Sequence, residues 1–274
     1  MLFAYLYWDP SPAIFPWNIP ILDRPLLWYG AFFALGIMLA HQILLSLFKK
    51  EGKGAYHEGD TFTLSLLLGI ILGARLFDIL FYQGWMVMKM RPLALLYFWE
   101  GGLSSHGGVI GLITALIFYQ RKHRSVTLLK LLDYLSVVAG LPAASIRMGN
   151  FFNQEILGKV TTVPWGIIFG HPIDGSSPIP RHPVQLYESV FYFALFAVMM
   201  TLYHQKKLPR DGALCGLFVT SVFVFRFLIE YFKEEQSAIF LGSVFTMGQI
   251  LSIPFIIGGL ILLKRKSTEK FHSV

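Results

Sequence analysis

Long apolar runs recur along the whole chain and are separated by short polar segments. A helix needs about 20 apolar residues to cross a bilayer. By this measure the pattern predicts about seven membrane spans, at about 26–47, 61–82, 103–120, 128–146, 184–203, 212–232 and 240–263. No polar stretch is long enough for a separate soluble domain, so residues 1–274 are predicted to form a single all-α polytopic membrane domain.

Basic residues are concentrated in alternate connecting segments, and this predicts the orientation of the chain. Most of the 23 Lys and Arg lie in four such segments, at 48–60, 121–130, 204–211 and after residue 263. The positive-inside rule then places the N-terminus outside and the C-terminus in the cytoplasm. Residues 1–18 contain three prolines and no basic residue, which is not the pattern of a cleavable signal peptide.

Composition further limits the kinds of protein and of site that the chain can form. The chain is 55% hydrophobic and carries a net charge of +7, but its basic residues follow membrane topology, so no nucleic-acid partner is expected. The single cysteine, Cys215, excludes an internal disulfide or a multi-cysteine zinc site and is predicted to be a small buried hydrophobe. The longest outside segment, about 147–183, is rich in Gly and Pro and predicts an ordered but irregular loop region.

Polar and charged residues within or next to the spans fall at one predicted depth, toward the outer leaflet. They are Tyr29, Arg75, His106, Arg147, His182, Arg226 and Glu230. Because an arginine at a helix centre costs about 2.5–3.5 kcal/mol on insertion scales, several at one level indicate a function. Guanidinium groups match phosphate oxygens, so the cluster predicts an anion site open to the outer leaflet.

Structural alternatives exist for several of these residues. Arg226 and Glu230, four apart, can form an ion pair on one helix face, and Arg75 can pair with Asp78. Arg147 has no acidic residue within four positions. It opens the segment 147–158, whose polar side chains and glycines fit either a capped helix end or a ligand site.

Two histidines carry different expectations. His106 is surrounded by glycines that allow a ligand or a neighbouring helix to approach, and it can exchange a proton near neutral pH. We therefore predict a catalytic or ligand-contacting role for His106. His182 precedes Pro183 at a helix start, and a structural role is expected for it. The sequence has no Gly-x-Ser-x-Gly, His-Glu-x-x-His or phosphate-loop motif.

The segment Arg147-Met-Gly-Asn-Phe-Phe-Asn-Gln-Glu-Ile-Leu-Gly158 closely resembles the signature of the prolipoprotein diacylglyceryl transferase family. Further similar stretches follow the family's order and cover nearly the whole chain: Trp28–Gly30, Gly73–Arg75, Gly102–Gly108, Pro164–Gly166, Arg181–Glu188, Arg226–Glu230 and Met247–Gln249. Two positions depart from the family pattern. Val222 stands where some members place a tyrosine, and no proline follows Phe232.

The resemblance implies a specific reaction in the bacterial cytoplasmic (inner) membrane. Such enzymes move the diacylglyceryl group of phosphatidylglycerol from the bilayer to the lipobox cysteine of a prolipoprotein signal peptide. A thioether forms and glycerol phosphate leaves, with the active site facing the outer leaflet. No metal or other cofactor is implied. The alternatives are a transporter or flippase for an anionic solute or lipid and another lipid-headgroup enzyme, although no inverted repeat of the kind seen in transporters is visible.

The resemblance and the predicted depth together give the candidate site. The predicted catalytic residues are His106, Arg147 and Arg226. The predicted substrate-binding residues are Tyr29, Arg75, Asn150, Asn153, Glu155, Gly158 and Glu230. His106 would act as the base for the substrate thiol, and the two arginines would stabilise the departing phosphate.

Overall fold

A computed structural model describes residues 5–20, 23–50, 56–96, 102, 104–124, 126–208, 210–234 and 245–265. The helices are α1 Trp28–Lys50, α2 Tyr56–Asp78, α3 Trp85–Met90, α4 Ser105–Lys122, α5 Leu128–Val138, α6 Gly140–Phe152, α7 Val184–His204, α8 Ala213–Ile229 and α9 Met247–Lys264. A π-helical turn, Ile79–Gln83, extends α2, and a 3-10 helix spans Pro92–Leu96. The strands are β1 Leu6–Trp8, β2 Ala13–Ile19, β3 Arg24–Leu27, β4 Ile167–Phe169 and β5 Pro180–Arg181.

Four helices of the described chain are long and apolar enough to cross a membrane: α1, α2 with its π-helical extension, α7 and α9. The pair α5 and α6, bent by 42° at their junction, gives a fifth span if the two helices cross together. These helices confirm a polytopic membrane protein. Of the other two predicted spans, α4 ends in Gln120, Arg121 and Lys122, and α8 has only 17 residues.

The count of seven spans therefore stays a prediction, although each predicted range coincides with a helix or with the bent pair. Residues 240–244, at the start of the last predicted span, lie outside the described residues. The chain divides into two compact units, one of residues 1–40 and 133–274 and one of residues 41–132.

In the unit of residues 41–132, helices α2 and α4 pack through facing glycines. A Cβ atom at Gly107 would overlap the carbonyl oxygen of Gly73, and one at Gly111 would overlap that of Gly69. Only hydrogen in place of a side chain permits this backbone contact. The glycines near His106 were expected to allow close approach of either a ligand or a neighbouring helix. For Gly107 and Gly111, close approach of a neighbouring helix is observed.

In the other unit, short strands join distant parts of the chain. Strand β1 pairs in parallel with β4, which pairs antiparallel with β5, and β2 pairs with β3. The buried side chains beside this sheet are Phe151, Leu157, Ile167 and Phe169, with Trp8, Phe152 and Leu186 packed against them. Sheet and core together fix the end of α6 against the start of α7.

These strands correct two expectations. The segment 147–183 is more regular than predicted, because residues 147–152 belong to α6 and because β4 and β5 lie within the segment. Residues 6–8, 13–19 and 24–27 also form strands, which the all-α prediction did not include. Strands of two or three residues leave no visible alternation of polar and apolar positions, and β1 and β4 are far apart in sequence.

Candidate functional site

Arg147 lies in the last turns of α6 and is held from two sides. Its Nη1 donates to Oδ1 of Asn150 at 3.1 Å, three residues later on the same helix. Its Nε lies 3.1 Å from Oε2 of Glu188, which is on α7 and only 1% exposed. Arg147 has no acidic neighbour in sequence, as noted above, but α7 supplies the missing carboxylate. These two contacts fix the plane of the guanidinium group.

The Glu188 carboxylate is shared by a second cation. Nζ of Lys233 donates to Oε1 of Glu188 at 2.9 Å, so each carboxylate oxygen faces one positive group. Lys233 follows the end of α8, and burial lowers the pKa of its ammonium group, a shift that Glu188 opposes. Glu188 and Lys233 are buried and Arg147 is partly buried, so removal of either charge from the buried pair would be costly. Glu188 therefore connects α6, α7 and the segment after α8.

Carboxamide side chains continue this network along the segment that follows α6. Nδ2 of Asn150 donates to Oε1 of Glu155 at 2.8 Å, and Nδ2 of Asn153 donates to the same oxygen at 3.2 Å. Nε2 of Gln185, on α7, donates to the backbone oxygen of Glu155 at 2.8 Å. Asn153 is also the C-cap residue of α6. The segment is thus both a capped helix end and a connected polar cluster.

Gly158, predicted above to bind substrate, does not lie in the kind of turn that requires a glycine. The φ angle of Gly158 is not positive. Within the segment 147–158, positive φ angles occur at Gln154 and Ile156. A Cβ atom at Gly158 would overlap the backbone oxygen of His182, and Gly158 forms a β-bridge with Lys233. Close approach of two backbone segments therefore explains this glycine, rather than a turn in the chain.

Tyr29 and Arg226 lie in the same unit as Arg147. Tyr29 is at the start of α1, and its Cα is 3.0 Å from the position that a Cβ of Gly149 would occupy. Nη2 of Arg226, on α8, lies 3.8 Å from Oε1 of Glu230. The ion pair that was the structural alternative is therefore present, at a distance that is long for a salt bridge. Tyr192, on α7, interacts with Arg147 and lies within electrostatic range of Arg226. The two predicted catalytic arginines therefore share a neighbour.

His182 makes contacts of the kind expected for a structural residue. Its Nδ1 lies 3.3 Å from the hydroxyl of Tyr187, and its ring packs edge-on against Phe232. Burial lowers the pKa of its imidazole, which favours the neutral form. The adjacent Arg181 forms an ion pair with Glu234.

Arg75 and His106 belong to the unit of residues 41–132 and are described apart from Arg147. Arg75 is 3% exposed, and its guanidinium donates to the backbone oxygens of Ala94 and Gly102 at 2.9 and 3.3 Å. Asp78 lies 3.9 Å away. The ion pair with Asp78, which was the structural alternative, is thus present at the long end of the range, and the backbone contacts in addition fix the segment after α2. His106 is exposed in the first turn of α4, which Ser104 caps.

Three residues of the cluster were absent from the predicted site: Gln185, Glu188 and Lys233. Gln185 and Glu188 fall in the stretch 181–188, which was noted for its family resemblance but not for its chemistry. A signal for Glu188 existed, because an acidic residue inside a predicted span needs a partner. Lys233 carries no such signal, since a lysine directly after a span is ordinary.

Comparison with known proteins adds an independent observation. Residues 16–265 match the family described as prolipoprotein diacylglyceryl transferase. A phosphatidylglycerol–prolipoprotein diacylglyceryl transferase from Tolumonas auensis is 38% identical over 97% of this chain and 99% of its own length. Proteins with the same name from Chloroherpeton thalassium and Porphyromonas gingivalis are 39% and 36% identical. They cover 95% and 96% of this chain, and 94% and 95% of their own lengths.

Proposed function

Because the chain belongs to the prolipoprotein diacylglyceryl transferase family, a family of enzymes, we propose that it lipidates prolipoproteins. It transfers the diacylglyceryl group of phosphatidylglycerol to the thiol of the lipobox cysteine. The structural observation that carries the proposal is the fixed guanidinium of Arg147, held by Glu188 and Asn150. A partly buried cation oriented in advance is suited to a phosphodiester whose charge increases as the reaction proceeds.

The proposal includes the membrane arrangement. The protein crosses the bacterial cytoplasmic membrane seven times, with the N-terminus outside, and the site faces the outer leaflet. The five helical segments that meet the length and hydropathy requirements support this arrangement, as does the alternation of basic segments. Helices α4 and α8 complete the count, their short apolar lengths being compensated by basic residues at the ends.

The reaction is a displacement at the glycerol carbon of the lipid. The cysteine sulfur forms a bond to the glycerol C3 carbon, and the bond from that carbon to the phosphate oxygen breaks. The thiol proton passes to His106, which raises the thiolate fraction of a group whose ordinary pKa is about 8.5. Glycerol phosphate leaves with the electron pair, and the product is a thioether.

Arg147 and Arg226 stabilise the negative charge on the departing phosphate. Asn150, Glu155 and Asn153 keep Arg147 in place through their hydrogen bonds, and Tyr29 and Gly158 shape the adjoining backbone. Glu230 positions Arg226. Arg75 holds the segment that precedes His106. The side chains supply both proton transfer and charge stabilisation, so no metal or other cofactor takes part.

The test is transfer of labelled diacylglyceryl from phosphatidylglycerol to a lipobox peptide by the purified protein. We expect labelled peptide and one glycerol phosphate per transfer. Release of glycerol phosphate without an acceptor would indicate a lipid-headgroup enzyme, and lipid movement without either product would indicate a flippase.

Two substitutions test the assigned roles. Arg147→Lys keeps the charge but loses the planar fork, so we expect at least about a 10²-fold loss of turnover. His106→Gln should also abolish most turnover. Near-full activity of a correctly inserted His106→Gln protein would refute the general-base role without affecting the assignment of the reaction.

A further inference from the structure

A separate cavity of about 520 Å³ lies beside the polar cluster, in the unit of residues 1–40 and 133–274. Its wall is formed by the chain that follows β1, by the end of α6 and by the turn after β4. The lining residues include Asp9, Leu27, Phe152, Asn153, His171 and Ile173. This volume is within the range of small-molecule and peptide side-chain sites. None of the proposed reaction steps uses the cavity, apart from Asn153 in its wall.

The polar end of the cavity offers hydrogen-bond acceptors. Oδ1 of Asp9 contacts Nδ1 of His171 at 2.6 Å and accepts from Nε2 of Gln154 at 3.2 Å. Within the described chain, both contacts of this carboxylate use Oδ1, so Oδ2 is available to a ligand. The carboxamide oxygen of Asn153 is buried and has no hydrogen-bond partner among the described residues. Because solvent does not reach this oxygen, Asp9, which is exposed, is the acceptor that the cavity presents to a ligand.

The polar end is held in shape before any ligand binds. Gln154 is 3% exposed and adopts a left-handed backbone conformation, with φ of 52°. Its Nε2 donates to Asp9, and its Oε1 accepts a hydrogen bond from the backbone N–H of His171 at 2.8 Å. The backbone oxygen of Gln154 accepts a hydrogen bond from the backbone N–H of Ile173 at 3.1 Å. A strained residue with every polar group engaged is typical of a binding site that is fixed in advance.

Two features favour an extended polypeptide as the occupant. Among the described residues, strand β1 has one neighbour in its sheet, β4, so its other edge can accept a further strand, and Asp9 follows β1 directly. Asn153, in the cavity wall, is hydrogen-bonded to Glu155 of the cluster that holds Arg147. A chain lying in the cavity would therefore end close to that cluster. The remaining lining, Leu27, Phe152 and Ile173, accommodates small apolar side chains.

We propose that this cavity binds the acceptor polypeptide next to its reactive cysteine, with Asp9 accepting a hydrogen bond from a backbone N–H or a basic side chain. The inference rests on the proposed function, because that function requires a polypeptide acceptor. It assigns to residues 9–12 and 171–173 the recognition of the peptide, whereas Arg147 and Arg226 bind the lipid.

The first test separates peptide binding from lipid binding. Asp9→Asn should raise the KM for the peptide by about tenfold, the factor expected for loss of one hydrogen bond to a charged group, with the KM for phosphatidylglycerol unchanged. Asp174→Asn is the matched control, because its carboxylate accepts a backbone N–H at an exposed turn outside the cavity. An increase in the KM for the lipid instead would assign the cavity to the headgroup and overturn the proposal.

A second variant guards against local misfolding around Asp9. Ile173→Trp fills the cavity from an exposed position and leaves the contacts of Gln154 in place, so it should raise the KM for the peptide as well. Ile179→Trp places the same side chain on the same loop, outside the cavity lining, and should have no effect. Equal KM values for the two Trp variants would exclude the cavity as the peptide site.

A panel of peptides gives the third test. Lys or Glu replaces each residue flanking the acceptor cysteine in turn, and at one or more positions the native protein should prefer Lys. Asp9→Lys should reverse that preference at the same positions. A native protein that lipidates no peptide would refute the proposed function itself. Efficient transfer with no response to charge at residue 9 would refute the peptide cavity alone.

Discussion

Removal of the Glu188 charge is the sharpest perturbation of the polar cluster. Glu188→Gln keeps the size of the side chain but leaves Arg147 and Lys233, previously 3.1 and 2.9 Å from a carboxylate, facing a neutral amide. Both cations are largely shielded, with side-chain exposures of 15% and 8%. Removal of one member of a buried ion pair costs about 3–5 kcal/mol. At about 2–4 °C per kcal/mol, the unfolding midpoint should fall by roughly 6–20 °C.

The chain provides its own probe for this measurement. Cys215 is the single cysteine of the sequence and is 6% exposed, so a thiol-reactive fluorophore labels it only as the protein unfolds. Activity should fall as well, by about 10²-fold, because a guanidinium displaced by about 1 Å no longer matches the reacting phosphate.

The double variant Glu188→Gln with Lys233→Met separates stability from catalysis. It removes one of the two uncompensated cations, so most of the lost stability should return. Arg147 still lacks its carboxylate, so activity should stay low. If Glu188→Gln retained both the native midpoint and native turnover, the view that Glu188 positions Arg147 would be refuted. Recovery of full activity in the double variant would show instead that Glu188 serves only to neutralise Lys233.

Three further predictions concern packing, pH and metal ions. Gly111→Ala should disrupt the contact of α4 with α2 and reduce folded protein in membranes. Gly108→Ala, whose added Cβ meets only ordinary contacts of 3.7 Å, should be tolerated; equal yields would contradict the packing account. Burial lowers the pKa of His182, so the unfolded chain binds more protons and stability should fall as pH drops below 6.5, its ordinary value. His182→Gln should flatten that pH dependence in thermal unfolding between pH 7 and pH 5, and an unchanged slope would assign it to another group. EDTA should leave transfer activity unchanged, and a loss restored by added metal would contradict the metal-free mechanism.

The sequence is most informative about the long apolar segments that form membrane spans. Apolar length predicted the positions of the long helices and of the bent pair α5 and α6, although not of the short helix α3. The segment 147–158 was identified as polar chemistry at a helix end. Contacts between distant residues could not be predicted in the same way. Glu188 is 41 residues from Arg147, and the partner of β1 lies beyond most of the helices. Neither local propensity nor hydropathy encodes such pairings.

Two arginines that were predicted at the same depth have different surroundings in the structure. Arg75 and Arg147 were predicted at the same depth. Arg75 binds backbone oxygens, whereas Arg147 is oriented by side chains. A guanidinium suits both roles, so its residue type could not distinguish them. The cavity beside Asp9 has no sequence signal at all, because its wall is assembled from the N-terminal segment, α6 and the turn after β4.

The parallel pairing of β1 with β4 has a consequence for how the protein is made. Residues 6–8 leave the ribosome before their partners, residues 167–169, which are about 160 residues later in the chain. At about 5–20 residues per second, the N-terminal segment waits roughly 10–30 s for its strand partner. During that interval Asp9 has neither His171 nor Gln154 beside it. The peptide cavity is therefore completed late in synthesis, after the first helices have been inserted, so a nascent chain cannot bind its acceptor there prematurely.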